Sequence, residues 1–187
     1  MYKLIILMGK AGSGKDTILR EVVKQNPDMH EVVSCTTRPP REGEVDGVNY
    51  HFLTGEQFGT KVLKNEMLEA TCFNDWFYGT SFDSLDKNKV NIGVFNPTGV
   101  ESLKEYKNIH TIVVWVEASD KNRLLRQLNR EKDPDVNEII RRFKADEIDF
   151  SDIDFEYVRL DNNDQSDLHV NVDAVSAFAA QLKDELY

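Results

Sequence analysis

Apolar and polar positions along the chain mark out alternating strands and helices. Tyr2–Met8 is an apolar run of strand length that ends in a glycine-rich turn, the pattern of a strand buried on both faces of a parallel sheet. Ile18, Leu19, Val22 and Val23 then recur at helical spacing across Thr17–Lys24, and Asn26-Pro27 closes the segment. His110–Val116 reads as another buried strand, and Asn91–Phe95 as a shorter one running into the turn residues Asn96-Pro97 and Gly99. Three later helices follow from the same spacing. Lys121–Arg130 places Leu124, Leu125 and Leu128 on one face, Val136–Ile148 does so with Ile139, Ile140 and Phe143, and Val172, Val175, Phe178, Leu182 and Leu186 trace a C-terminal stripe. Strands alternating with helices predict a three-layer α/β fold around a parallel central sheet. Residues 31–81 break the rhythm with short strand-like pieces, aromatics and glycines but no long helical pattern, so they read as an inserted mixed subdomain. The acidic segment from Asp146 to Glu156 is expected to be a solvated helix face and turn. Asp161-Asn162-Asn163-Asp164 lacks the glycine and the closing glutamate of a calcium loop.

Composition narrows the picture. A chain of 187 residues, 40% hydrophobic, suits one compact domain. A formal net charge of -10 and a pI near 4.9 argue against nucleic acid or an anionic membrane as partner, since both need clustered cationic surface. Any phosphate chemistry must use a local group of Lys and Arg inside an acidic shell. Cys35 and Cys72 form neither a C-x-x-C pair nor a zinc-spaced set and are expected to be buried or half-buried thiols, which fits a reducing, cytoplasmic setting. The N-terminal run lacks a leader's charged region and cleavage site, and no stretch approaches eighteen apolar residues.

Candidate chemistry begins at Gly9-Lys10-Ala11-Gly12-Ser13-Gly14-Lys15-Asp16-Thr17, between the first strand and the first helix. That context turns a glycine pattern into a phosphate loop: backbone amides point inward at a helix N-terminus, and Lys15 reaches the β and γ phosphates. The simple motif carries Ser or Thr directly after the lysine, whereas here Asp16 intervenes and Thr17 is the candidate metal-side hydroxyl.

A second group is Ser34-Cys35-Thr36-Thr37-Arg38-Pro39-Pro40-Arg41-Glu42-Gly43-Glu44, followed by Gly47 and Tyr50-His51-Phe52. Two arginines three residues apart on a proline-stiffened backbone can grip a phosphate, since guanidinium groups offer forked donors. Here the sequence resembles guanylate kinase, whose pattern S-x-T-T-R-x-P-R-x-G-E…G-x-x-Y-x-F is matched almost residue for residue. The resemblance continues through Glu69-Ala70 and Phe77-Tyr78-Gly79-Thr80-Ser81. It implies a P-loop fold with a GMP-binding insertion and a helical lid, acting on ATP with Mg2+ and on GMP or dGMP, as a monomer or homodimer. It further implies that Arg38, Arg41, Tyr50 and Tyr78 hold the acceptor phosphate, that Glu69 accepts from guanine N1 and N2, and that Ser34 and Thr80 donate to O6. Arg130 and Arg142 sit where the family carries lid arginines; with Lys15 and Arg38 they are the expected catalytic cations. Asp161 and Asn162 fall near the family's adenine-contacting pair, in exchanged order. The implied units are a core of residues 1–30, 82–125 and 150–187, an acceptor subdomain of 31–81 and a lid of about 126–149.

One departure is plain. Where the family has D-x-D-x-x-G, this chain has Val94-Phe95-Asn96-Pro97-Thr98-Gly99, so Asn96 can face the acceptor nucleoside but both carboxylates are missing. Two other readings stay open at this level: a kinase for another deoxynucleotide or a phosphorylated sugar, and a non-catalytic interaction module that uses the acceptor groove for a peptide.

Overall fold

The computed structural model describes residues 1–41, 43–73, 75–130 and 132–184. Glu42 of the arginine motif and Leu186 of the C-terminal stripe lie outside the described residues. In chain order the elements are β1 (Tyr2–Met8), α1 (Lys15–Gln25), β2 (His30–Glu31), β3 (Cys35–Thr36), β4 (His51–Phe52), α2 (Gly55–Leu63), β5 (Met67–Phe73) and β6 (Trp76–Ser81). They continue with β7 (Val90–Val94), α3 (Pro97–Leu103), β8 (Ile109–Glu117), α4 (Asp120–Leu128), α5 (Val136–Asp149), β9 (Val158–Asp161) and α6 (Asp167–Asp184).

A five-stranded sheet runs in the order β2-β7-β1-β8-β9, and every pairing in it is parallel. β1 sits at its centre and splits its side chains between two cores. Ile5 and Leu7 pack with Ile18, Leu19 and Val22 of α1 and Val172, Val175, Ala179 and Leu182 of α6. Leu4, Ile6 and Met8 pack on the other face with Phe95 and with Val100 and Leu103 of α3. Each such side chain, fully buried, contributes roughly 1.5–3 kcal/mol, which explains why β1 carries a near-continuous apolar run. The result is the expected α/β architecture of a parallel sheet covered by helices on both faces.

While Glu31 still belongs to β2 of the parallel sheet, β3, β4, β5 and β6, between Cys35 and Ser81, form a second, four-stranded sheet in the order β4-β3-β6-β5, mixed in direction. Its small core joins Cys35, Met67 and Phe58. Phe58 belongs to α2, a nine-residue helix that the periodicity does not predict because it is the helix's one buried side chain. A local signal did exist: Thr54 and Gln57 form a reciprocal capping box at its start.

Three further expectations are corrected. α4 does not bury its leucines: Leu124 is 40% and Leu125 46% exposed, whereas Arg123 and Gln127 face inward. The helix packs on peptide groups of the glycine loop, which need donors rather than methyl groups. On α5, Ile139 is buried but Ile140 is exposed. Cys35 is buried as expected, while Cys72, on an outward position of β5, is exposed.

Candidate functional site

A cleft of about 1030 Å³ opens at the carboxyl edge of the parallel sheet, where open α/β folds hold their ligands. The β1–α1 loop forms its floor, the mixed sheet one wall, and α4 with α5 another.

The floor is built for an anion. Gly12 and Gly14 sit at φ 81° and 98°, and a Cβ on Gly14 would meet the Asn162 amide nitrogen at 2.2 Å. Gly14 is also the N-cap of α1 and has no side chain to satisfy the helix's first amides. Behind the loop, successive carbonyls are drawn outward. Ala11 accepts from Arg123 Nε at 3.0 Å, Gly12 and Ser13 accept from Arg126 at 3.3 and 3.1 Å, and Ser13 also accepts from Asn162 Nδ2 at 2.7 Å. Carbonyls held on the outside leave the inner face to N–H groups. Lys15 lines the cleft at the end of the loop, 3.9 Å from the Asp16 carboxylate. Asp16 and Thr17 are exposed on the cleft.

The mixed sheet carries the second cation group. Arg38 is 9% exposed and forks onto Glu44 through two hydrogen bonds of 2.9 Å, and Glu44 also accepts from the Arg41 backbone at 2.7 Å. Burial would lower the Arg38 pKa, yet its bonds to Glu44 raise it further. Burial followed by the nearby charges of Arg142 and Arg38 lowers that of Arg41. Tyr50 and Tyr78 pack edge to face at 6.2 Å beside Arg38. Burial, then the charge of Asp16, holds the Tyr50 hydroxyl above its ordinary pKa, so the residue after the loop lysine is felt at the mixed-sheet wall.

Deeper on the same wall, Ser34 Oγ and Thr80 Oγ1 are 3.1 Å apart. Burial pushes the Glu69 carboxyl up to about 7, against the opposing effect of hydrogen bonds from Thr80. Asn96 caps α3, its Oδ1 accepting from Gly99 N at 2.7 Å, and lines the cleft.

From the helical wall come Arg130 and Arg142, together with residues that the sequence does not single out. Glu138 binds Arg141 at 2.6 and 2.7 Å and Arg142 at 2.9 Å. These bonds, Arg141's first, hold its pKa down to about 2. The Arg141 guanidinium lies 4.3 Å from the centre of the Phe73 ring, bridging α5 to the mixed sheet. Their i, i+3 and i, i+4 spacing was the available signal. Asp146 is the exception in its acidic segment, most of which is exposed as expected: its side chain is only 14% exposed and accepts from Ala11 N at 2.8 Å. Burial raises its pKa even so, opposed by the Ala11 N–H and Arg123.

Most of the expected residues therefore share one cleft: Gly9, Ala11, Gly12, Gly14, Lys15, Asp16 and Thr17 on the floor, with Ser34, Arg38, Arg41, Tyr50, Glu69, Tyr78, Asn96, Arg130 and Arg142 around it. Lys10, Ser13, Thr80, Asp161 and Asn162 are not part of its lining. Ser13 and Thr80 are fully buried behind it. Asn162 is a brace for the loop carbonyl of Ser13, and Asp161 pairs with Arg159 at 3.2 Å.

A parallel sheet whose central strand feeds a glycine loop and an open helix start, faced by an arginine-bearing insertion, defines a P-loop nucleotide kinase architecture. A family model described as guanylate kinase matches residues 1–177. The guanylate kinase of Helicobacter hepaticus is 30% identical over 185 residues, covering 96% of this chain and 90% of that protein. That of Helicobacter pylori is 33% identical over 150 residues, 76% of this chain and 73% of that protein. A shorter match, to the guanylate kinase of Gloeobacter violaceus, is 46% identical over 80 residues and spans 43% of this chain and 39% of that protein. A crystal structure of guanylate kinase from Anaplasma phagocytophilum shares the fold, with a TM-score of 0.69, 20% identity, and coverage of 98% of this chain and 86% of that one. The chain belongs to the guanylate kinase family.

Proposed function

We infer that the chain moves the γ-phosphoryl group of ATP onto GMP or dGMP, with the triphosphate on the Gly9–Thr17 loop and the acceptor against the mixed sheet. The observation that carries this reading is Glu69, a half-buried carboxylate beside the Ser34–Thr80 hydroxyl pair, in the same cleft as the loop lysine. Ionised, Glu69 accepts from guanine N1–H and N2–H while Ser34 donates to O6, and Thr80, buried behind the cleft lining, holds Glu69 and Ser34 in place instead of meeting the base itself. Adenine has an amino group at position 6 and no N1–H, so it leaves these groups unpaired, a mismatch that discriminates by roughly ten-thousandfold in sites built this way.

Arg38, Arg41, Tyr50 and Tyr78 hold the acceptor phosphate, and Glu44 fixes Arg38 before the acceptor arrives. Lys15 meets the β and γ oxygens, and Arg130 and Arg142 spread over the transferring group. No protein nucleophile is needed; alignment of two anions inside a cation-lined cleft supplies the catalysis. Residues 31–81 act as the acceptor subdomain, about 126–149 as a lid over a core of 1–30, 82–125 and 150–187, and Asn162 backs the donor loop through the Ser13 carbonyl.

The residues present fit Mg2+. Asp16 and Thr17 offer hard oxygen donors next to Lys15 on the cleft, with Thr17 as the protein-side hydroxyl of an ion otherwise held by phosphate oxygens and water. Bound there, the ion neutralises charge on the β and γ phosphates.

No helix among the described residues is long and apolar enough to cross a membrane. With its free thiols the chain works in the cytoplasm, as a monomer or homodimer acting on small nucleotides and not on nucleic acid.

A coupled assay offering ATP with GMP, dGMP, AMP, UMP and dTMP tests the reading. Turnover is expected with the guanine nucleotides alone, and Lys15→Ala abolishes it while the far-ultraviolet dichroism stays unchanged. Equal turnover of every monophosphate would sink the role given to Glu69.

A further inference from the structure

Ala11, at the turn of the phosphate loop, has both of its peptide groups engaged by side chains distant in sequence. Its carbonyl is held from α4, by Arg123 Nε at 3.0 Å and Gln127 Nε2 at 3.5 Å. Its N–H donates to Asp146 Oδ2 at 2.8 Å, and Asp146 belongs to α5, 135 residues away. The two anchors are themselves joined, because Arg123 NH2 donates to the Asp146 carboxylate. Arg123 is 3% exposed, binds Asp120 through NH1 at 2.6 Å, and lies 4.3 Å from the centre of the Phe143 ring of α5. Gly12 abuts the same helix: a Cβ there would lie 2.6 Å from the Arg123 carbonyl oxygen.

Arg123, Arg126 and Asn162 reach the loop from elements flanking it at the carboxyl edge. Asp146 alone, among the hydrogen bonds of the described residues, brings α5 to it. One turn earlier the same helix presents Arg142 to the cleft. The loop and the lid arginine therefore share one rigid element, fastened by a charge-assisted hydrogen bond that is largely shielded from water.

We propose that Asp146 is a positioning residue that couples the donor site to the lid: α5 docked through Asp146 holds Ala11, and with it the inward amides of the loop, in the arrangement that receives a triphosphate. Coupling of this kind is reciprocal, so a nucleotide on the loop stabilises the docked α5 to the same extent. Asp146 lines the cleft at the loop rather than at the mixed sheet, so its effect falls on ATP rather than on GMP.

The proposal rests on the assignment of the Gly9–Thr17 loop as donor site, and calorimetry separates the two. A non-hydrolysable ATP analogue and, separately, GMP are titrated into the wild type, Asp146→Asn and Asp146→Ala. Asp146→Ala is expected to weaken the analogue about tenfold and GMP less than twofold, within the usual range of coupling factors. Asp146→Asn keeps an acceptor for Ala11 N–H and falls between. Hydrogen exchange supplies a second readout: the analogue should slow the amides of residues 144–149 in the wild type and leave them unprotected in Asp146→Ala. A wild type that does not bind the analogue refutes the donor-site assignment. Equal analogue affinity in all three proteins, or an equal loss for both ligands, refutes the coupling while leaving that assignment standing. If Asp146→Ala does not fold, the Asp146→Asn comparison and its exchange pattern decide alone.

Discussion

Lowering the pH from 8 to 6 should weaken GMP binding mainly through one carboxyl group. Glu69 is held up to about 7 by burial on the floor of the acceptor wall, and only its ionised form accepts both guanine N–H groups. By linkage the free protein is then about nine-tenths competent at pH 8 and about one-tenth at pH 6, so the apparent Kd rises about tenfold across that interval. The phosphate of GMP adds its own titration near pH 6, worth about a factor of two. Calorimetry at fixed ionic strength should give a total near twentyfold for the wild type and about twofold for Glu69→Gln. Near pH 7 binding should also release about half a proton, read from the dependence of the heat on buffer ionisation enthalpy. The stability effect has the opposite sense to that of a salt-bridged carboxylate. A folded-state pKa above the ordinary 4.5 means that the protonated form is favoured by folding, so stability falls as pH rises from 4.5 through 7, by at most about 3 kcal/mol. Glu69→Gln should therefore melt higher than the wild type at pH 8, with the gap closing towards pH 4.5. Identical pH slopes for GMP in the two proteins would refute the reasoning.

Two other substitutions probe separate parts of the cleft. Glu44→Gln removes the charge that forks onto Arg38 and loosens the Arg41 backbone; KM for GMP should rise roughly tenfold, from about 1–3 kcal/mol of lost charged hydrogen bonding, with KM for ATP unchanged in steady-state kinetics. Gly14→Ala puts a Cβ at a φ of 98° and 2.2 Å from the Asn162 amide; it should cost roughly 1–3 kcal/mol in denaturant unfolding and remove measurable ATP binding.

The glycine loop and its flanking elements were legible because their signals are local. An apolar strand, a glycine turn and a helix start follow one another within residues 2–25, and each constrains the next. The mixed-sheet side of the cleft was legible only as a pattern: Glu69 alone reads as an ordinary surface carboxylate, and what distinguishes it is the burial that β5 and β6 impose. α4 was misread for a physical reason. Its leucines have the right spacing for a core face, but the surface it meets is a row of loop carbonyls, so arginine and glutamine turn inward instead. Asp146 was beyond reach, since nothing near it in sequence reveals that a peptide group 135 residues away will lie against it.

Paired carboxylates explain how a chain of net charge -10 can serve two phosphate-bearing nucleotides. Glu44 fixes Arg38, Glu138 fixes Arg141 and Arg142, and Asp146 fixes Arg123. An unrestrained arginine loses side-chain freedom when it captures a phosphate, whereas one already held in place has lost it during folding. A purely Coulombic view predicts that removing a carboxylate beside an anion site strengthens anion binding. Preorganisation predicts the reverse sign, so Glu44→Gln distinguishes the two: tighter GMP binding in that variant would mean that the carboxylates merely dilute the field of the arginines they hold.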